Sequence, residues 1–126
     1  EYGTRNAAAV VALAAAAETQ ERIGRERIAA RGRAMVARVR TGIAALPDLE
    51  ILTPANPELS ASMIAFRTPR LAYDKLFGRL LSDHQLRCRP VSEQKLDAVR
   101  VSTHLCNGLD ECDRLVAAMT AILKKT

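Results

Sequence analysis

A chain of 126 residues is one domain's worth and buries a single core without metal or disulfide staples, which excludes a multidomain machine. Hydrophobic residues at 48% and charged residues at 26% exclude a disordered or low-complexity chain, and two Tyr, two Phe and no Trp leave little from which to build a base-stacking platform. The net charge of +5 is unevenly placed: Arg22, Arg25, Arg27, Arg31, Arg33, Arg38 and Arg40 crowd one segment with a single acid, Glu26, which reads as a solvated helix face or as a basic surface for phosphates.

Asn6 caps a helix from Ala7 to about Gln20, since its side chain accepts from the unpaired N–H groups ahead of a strongly helix-forming run. With Ala on every face, this helix is expected to be sandwiched between other elements. A longer helix runs from about Glu21 to Leu46, with Ile28, Met35, Val36, Val39, Ile43 and Leu46 on one face, weakened locally at Gly24, Gly32 and Gly42 and ended by Pro47. Leu49 to Leu52 reads as a short strand, and Ser62 to Arg67 as a strand buried on both faces, stopped by Pro69. Leu71 to Ser82 returns to the helical period. Gln85 to Arg89 and Asp97 to Ser102 read as two more strands, joined by a brief connection that contains Pro90 and Glu93. The closing helix spans Leu109 to Lys124, with Asp110, Glu111 and Asp113 at its positive end and Lys124 and Lys125 at its negative one. Strands that cluster in pairs favour an α+β fold: a small, mostly antiparallel sheet of about four strands covered by helices and preceded by a long linking helix.

Chemistry-bearing motifs are scarce. Cys88, Cys106 and Cys112 form no CxxC pair and complete no zinc spacing with His84 and His104, so they are expected to be reduced thiols of a cytoplasmic chain with no resident metal. The apolar run from Ala7 to Ala17 is too short to span a bilayer, and neither a signal peptide nor a membrane partner is expected. The start at Glu1, without Met and inside an apparent motif, suggests a piece of something longer. Gly3-Thr4-Arg5, Arg89 at a strand end and Arg100-Val101-Ser102-Thr103-His104 stand out, and Arg100, between Val99 and Val101, is the sharpest of them, because a guanidinium on a rigid strand offers a fixed two-pronged fork for a carboxylate or phosphate. For Arg100 a surface salt bridge is the alternative. Alternation along the strand sends Val99 and Val101 one way and Ala98, Arg100 and Ser102 the other.

The ordered series Glu1-Tyr2-Gly3-Thr4-Arg5-Asn6, the Ala-rich helix and Glu21-Arg22-Ile23-Gly24 resembles the junction into the C-terminal small domain of fold type I pyridoxal-phosphate enzymes. The segment Leu96 to Asn107, closing on Asp110-Glu111-Cys112-Asp113-Arg114-Leu115, is similar to the "R-x-S-x-H-x-Y-N-x-x-E-E-x-D" signature of the class V aminotransferase branch, which includes isopenicillin N epimerase-like proteins and cysteine desulfurases. Cys106 stands where that signature has Tyr.

The resemblance implies an interdomain segment over residues 1–20 and a small domain over 21–126, working with a large domain in a homodimer. It implies that Arg100 binds the α-carboxylate of an amino-acid-like substrate, that Arg89 lies near the substrate side, and that Gly3 and Thr4 reach across the dimer to the phosphate of pyridoxal 5'-phosphate. His104 and Asn107 match signature positions whose duty is to link the last strand to the last helix. The cofactor's Schiff-base Lys belongs upstream in such enzymes. Neither Lys75 nor Lys95 matches it, and no loop between Arg89 and Arg100 carries the nucleophilic Cys of a desulfurase. The expected activity is therefore that of the small domain of a PLP-dependent aminotransferase, lyase or epimerase, with no catalytic residue of its own here. A basic helical module for nucleic acid and a dimerisation domain without chemistry are the alternatives, and nucleic acid is not the expected partner.

Overall fold

The computed structural model describes Gly3 and residues 6–126. Helix α1 covers Ala7–Ile23 and helix α2 Arg25–Ala44. Strand β1 (Glu50–Ile51), strand β2 (Met63–Arg67), helix α3 (Tyr73–His84), strand β3 (Arg89–Val91), strand β4 (Ala98–Ser102) and helix α4 (Leu109–Lys124) come next in the chain. The four strands form one antiparallel sheet in the order β1-β2-β4-β3, the α+β arrangement that paired strands and intervening helices dictate.

The Asn6 cap forms as its chemistry requires, the side-chain oxygen accepting from the Ala9 N–H at 3.0 Å. The two helices beyond this cap depart from expectation. Gly24, at φ 95°, interrupts the helical run outright, so the second helix starts at Arg25 and not at Glu21. Helix α1 is not sandwiched: every described side chain up to Arg22 is exposed, Val10, Val11 and Leu13 at 62%, 70% and 71%. The break at Gly24 sends α2 onto the sheet, and the remainder of the described chain supplies no second surface for α1.

Helix α2 buries Met35, Val36, Val39 and Ile43, the stripe that the 3.6-residue period selects. It packs beside α4, whose Leu115, Ala118, Met119, Ile122 and Leu123 are buried, and both cover one face of the sheet with α3. The two long helices approach closely at Gly42, where a Cβ would stand 2.4 Å from Val116 Cγ2. A two-pronged ion pair fastens the same seam, Arg38 donating to Asp113 at 2.6 and 2.7 Å. This pair holds the Asp113 carboxyl below its ordinary range, first through the hydrogen bond.

Register sorts the sheet into two faces. Phe66 lies opposite both Ile51 and Val99, and Ile64 opposite Val101, on the helix-covered side. Glu50 opposite Arg67, Ala65 opposite Arg100 and Arg89 opposite Arg100 define the other side, which no described helix covers. Strand β2 is accordingly buried on one face only, alternating between exposed or half-buried and buried residues. Its expected burial on both faces is corrected by the absence of any second layer in the described chain.

The third strand is also displaced. Gln85 adopts a left-handed conformation (φ 57°) that ends α3, its N–H bonding the Leu81 carbonyl at 3.1 Å while the Leu86 N–H reaches Leu80 at 2.9 Å. Residues 85–88 are spent on that exit, so pairing begins at Arg89. Pro90, expected in the connection, sits inside β3, an edge strand where its missing N–H costs no ladder bond on the open side.

Candidate functional site

The uncovered sheet face gathers three guanidiniums. Arg67 is the last residue of β2, Arg89 the first of β3 and Arg100 the centre of β4. Residues directly opposite in an antiparallel pair share a face with Cβ atoms about 4.5–5.5 Å apart, so the Arg89–Arg100 register sets two cations side by side. Ala65 flanks Arg100 on its other edge and Ser102 follows on the same side, both too short to fill the space above the sheet.

Two of the three cations are already neutralised. Arg67 Nε donates to Glu50 Oε2 at 2.8 Å across the β1–β2 pair. Arg89 Nη2 donates to Glu93 Oε1, four residues on, in the short 3-10 turn Glu93–Lys95. Glu93's own backbone N–H, then the Arg89 hydrogen bond, hold its carboxyl below the ordinary range. Arg100 differs from both: among the described residues it takes part in no ion pair, and its Nε is buried with no hydrogen-bond partner. A buried N–H left unbonded costs about 1–3 kcal/mol.

Sequence alone points to Arg100 and Arg89, and the sheet brings them together. It does not point to Arg67, Glu50 or Glu93. Alternation along β2 places Arg67 on the face of Arg100 once only one side of that strand is assigned to the core. Gly3 lies exposed with nothing within 4 Å of a Cβ position and is far in sequence from this face, and Thr4 lies outside the described residues. The connection from β3 to β4 is tightly turned, with Gln94, Lys95 and Asp97 at φ between 50° and 58°. Asp97 uses that conformation to accept from the Tyr73 N–H at 2.9 Å, capping α3 from a distant part of the chain.

Beyond Ser102 the strand hands over to α4 through local hydrogen bonds. The His104 N–H donates to Asn107 Oδ1 at 2.8 Å, the Asn107 side chain donates to Glu111 Oε2 at 3.0 Å, and the Gly108 N–H reaches the same oxygen at 2.9 Å. Glu111 is held below the ordinary carboxylate range by Asn107 first and Gly108 second. A cleft of about 170 Å³ opens beside this handover, lined by Cys88, Val101, Asn107, Glu111 and Cys112 among others, on the helix side of β4 and away from Arg89 and Arg100.

Burial alone pushes the Cys88 thiol up to about 11, and burial first of all raises Cys112 as well. Cys88 lies in the turn that leaves α3, not in a strand. At pH 8 only about a thousandth of Cys88 is thiolate. Titration with a disulfide reagent at pH 8 is therefore expected to show one fast thiol, the exposed Cys106, with the other two released only on unfolding. A Cys88 that reacts at the pace of Cys106 would contradict the burial argument.

The four lysines, Lys75, Lys95, Lys124 and Lys125, are exposed, and among the described residues no His/Cys/Asp/Glu group has metal-binding geometry. No described helix is long and apolar enough to cross a membrane. Within the arginine-rich segment, Arg22 bonds Thr19, Arg31 the Asn107 carbonyl, and Arg40 the Thr53 and Pro54 carbonyls, while Arg25 and Arg38 pair with the acids Glu21 and Asp113.

Comparison with known proteins supplies the frame for this face. The chain is 33% identical over 97% of its length to isopenicillin N epimerase of Amycolatopsis lactamdurans, covering 31% of that protein, and 29% identical over 98% to a probable cysteine desulfurase of Pyrococcus abyssi, covering 33%. Its structure superposes on a cysteine desulfurase from Thermococcus onnurineus with a TM-score of 0.88 at 28% identity, over the whole of this chain and 33% of that one. It thus spans about a third of the length of the curated relatives it matches. The model of the family "Aminotransferase class-V" matches residues 1–115, and the chain belongs to that family.

Proposed function

We propose that this chain acts as the small domain of a pyridoxal-phosphate-dependent enzyme on an amino-acid-like substrate, and that Arg100 is the receptor for the substrate carboxylate. One observation carries the reading: Arg100 is the single guanidinium of the open face without an acid partner among the described residues, and its buried Nε is unbonded. A carboxylate meeting the two terminal nitrogens of Arg100 from the open face would make two parallel charge-assisted bonds. The substrate carboxylate approaches from the uncovered side of the sheet, where Ala65 and Ser102 leave room.

The cofactor, when bound in such an enzyme, supplies the electron sink for chemistry at the substrate's α-carbon. The Schiff-base Lys of such an enzyme lies in the large domain, so this chain's share of the mechanism at its own sheet is to bind and orient the substrate. Holding the carboxylate on a rigid central strand fixes the α-carbon in position before chemistry, which lowers the entropic part of the barrier. The large domain of such an enzyme forms the opposite wall of the site and covers the exposed Ala-rich surface of α1. The enzyme works as a homodimer in the cytoplasm, residues 1–20 being the interdomain segment and 21–126 the small domain. Arg89 lines the substrate side, and Gly3 and Thr4 make the cross-subunit contact with the cofactor phosphate. Isopenicillin N epimerases and cysteine desulfurases are both among the relatives, so epimerisation, transamination and C–S lysis all lie within the range of the parent enzyme.

The Arg100 assignment is tested on the 126-residue chain by titrating acetate while following the arginine side-chain Nε–H resonances. Arg100 is expected to shift and saturate, and Arg67, tied to Glu50, to stay still. An unresponsive Arg100 returns the residue to a structural role.

A further inference from the structure

We infer that Glu93 is a specificity-determining residue: by neutralising Arg89 it makes the site accept a substrate with one carboxylate and an uncharged side chain, and disfavour a dicarboxylate. The inference rests on the reading of Arg100 as the carboxylate receptor and goes beyond it to the substrate's other end.

The geometry that points to Glu93 is the ladder itself. Arg89 and Arg100 are directly opposite on the same face, close enough for one ligand with two carboxylates to span both heads. Like charges placed directly opposite repel, so an unmodified pair of this kind would be a two-carboxylate receptor. Here the chain provides its own second carboxylate. Glu93 returns to Arg89 from the turn immediately after β3, and the two side chains are about equally exposed, 54% for Arg89 and 53% for Glu93, so the pair sits at the open face and not beneath it. Arg67, two residues along β2 from the Ala65 that faces Arg100, is balanced in the same way by Glu50. The face as built therefore presents one net positive charge, centred on Arg100.

A ligand carrying a second carboxylate meets two obstacles at Arg89. It must displace Glu93 from a charge-assisted bond, and it is repelled by the Glu93 carboxylate while doing so. A ligand with a neutral side chain meets neither. Glu93→Gln removes the repulsion and leaves Arg89 with only a neutral acceptor, which turns the face into a receptor for two carboxylates. The substitution is at an exposed position outside the core and leaves β3 and β4 intact.

The test compares acetate with glutarate on the full 126-residue chain, reading the Arg89 and Arg100 Nε–H resonances. In the unsubstituted chain both ligands are expected to move Arg100 with dissociation constants within about twofold, and Arg89 to stay still. In Glu93→Gln, glutarate is expected to gain on the order of tenfold over acetate and to move Arg89 together with Arg100. In Arg89→Gln/Glu93→Gln the gain is expected to vanish, which separates the loss of charge balance from any change in the turn. A glutarate-to-acetate ratio that Glu93→Gln leaves as it was, or a glutarate preference on the order of tenfold already present in the unsubstituted chain, overturns the inference while leaving Arg100 as the receptor. If neither ligand moves Arg100 in any of the chains, the receptor reading itself fails and this inference with it.

Discussion

Arg100→Lys in the full-length enzyme is expected to lower kcat/KM by about 30- to 1,000-fold, the equivalent of about 2–4 kcal/mol, while the midpoint of urea unfolding hardly moves. The charge is conserved, so the loss measures geometry: an ammonium cannot present two parallel N–H donors to a carboxylate. Stability is spared because Arg100 has no ion-pair partner among the described residues whose loss would be felt, and the substitution deletes a buried N–H that is unbonded. Steady-state kinetics and a denaturation curve on the same variant decide the matter. A variant that unfolds more readily yet keeps its kcat/KM places Arg100 in the scaffold. One that loses both in proportion shows that the strand needed the guanidinium to fold.

The helices are the most legible part of the chain, and for a specific reason. The stripes of α2 and α4, Gly32 to Ile43 and Cys112 to Leu123, repeat at 3.6 residues over about three turns, and the closing helix has the bounds read from Leu109 to Lys124. Where sequence and structure part, the competing signal is shorter or lies outside the segment. Residues 85–88 carry a strand-like composition, but the Leu80 and Leu81 carbonyls at the end of α3 need N–H donors, and the chain turns to supply them. Gly24 looks like a weak point within one helix because nothing local says that α1 and α2 must diverge. The uniform Ala surface of α1 implies cover on several sides, and the described chain does not provide it.

The candidate site is legible at one residue and hidden at its neighbours. Val99-Arg100-Val101 announces a polar residue between two apolar ones, and strand alternation suffices to read it. The pairing of Arg89 with Arg100 depends on which strands are adjacent and in what register, and no pattern within either strand contains that. The link from Arg89 to Glu93 is hidden differently: four-residue spacing suggests contact on a helix, whereas here the bend at Ser92, directly after β3, makes it. Asp97, similarly, reads as the start of a strand and serves as the cap of α3.

Phe66→Ala is expected to cost about 3–5 kcal/mol, the largest loss of stability from any single truncation in the sheet, and to lower the urea midpoint by on the order of 2 M. Phe66 is fully buried and is among the largest side chains of a core otherwise made of aliphatic residues and Met, so truncation leaves a void that Ile51 and Val99, its partners across the ladder, cannot close without leaving their strands. A domain stable by about 5–15 kcal/mol loses about a fifth of its margin or more. Phe77, only half-buried at the edge of the same core, provides the contrast, and its truncation is expected to cost visibly less. The two substitutions, Phe66→Ala and Arg100→Lys, act on opposite faces of adjacent strands. Phe66 should therefore change how much protein is folded without changing how tightly the folded fraction binds acetate, and Arg100 should do the reverse. A Phe66→Ala protein that stays folded in dilute buffer yet has lost acetate binding at Arg100 would show that the two faces are coupled through the β2–β4 register.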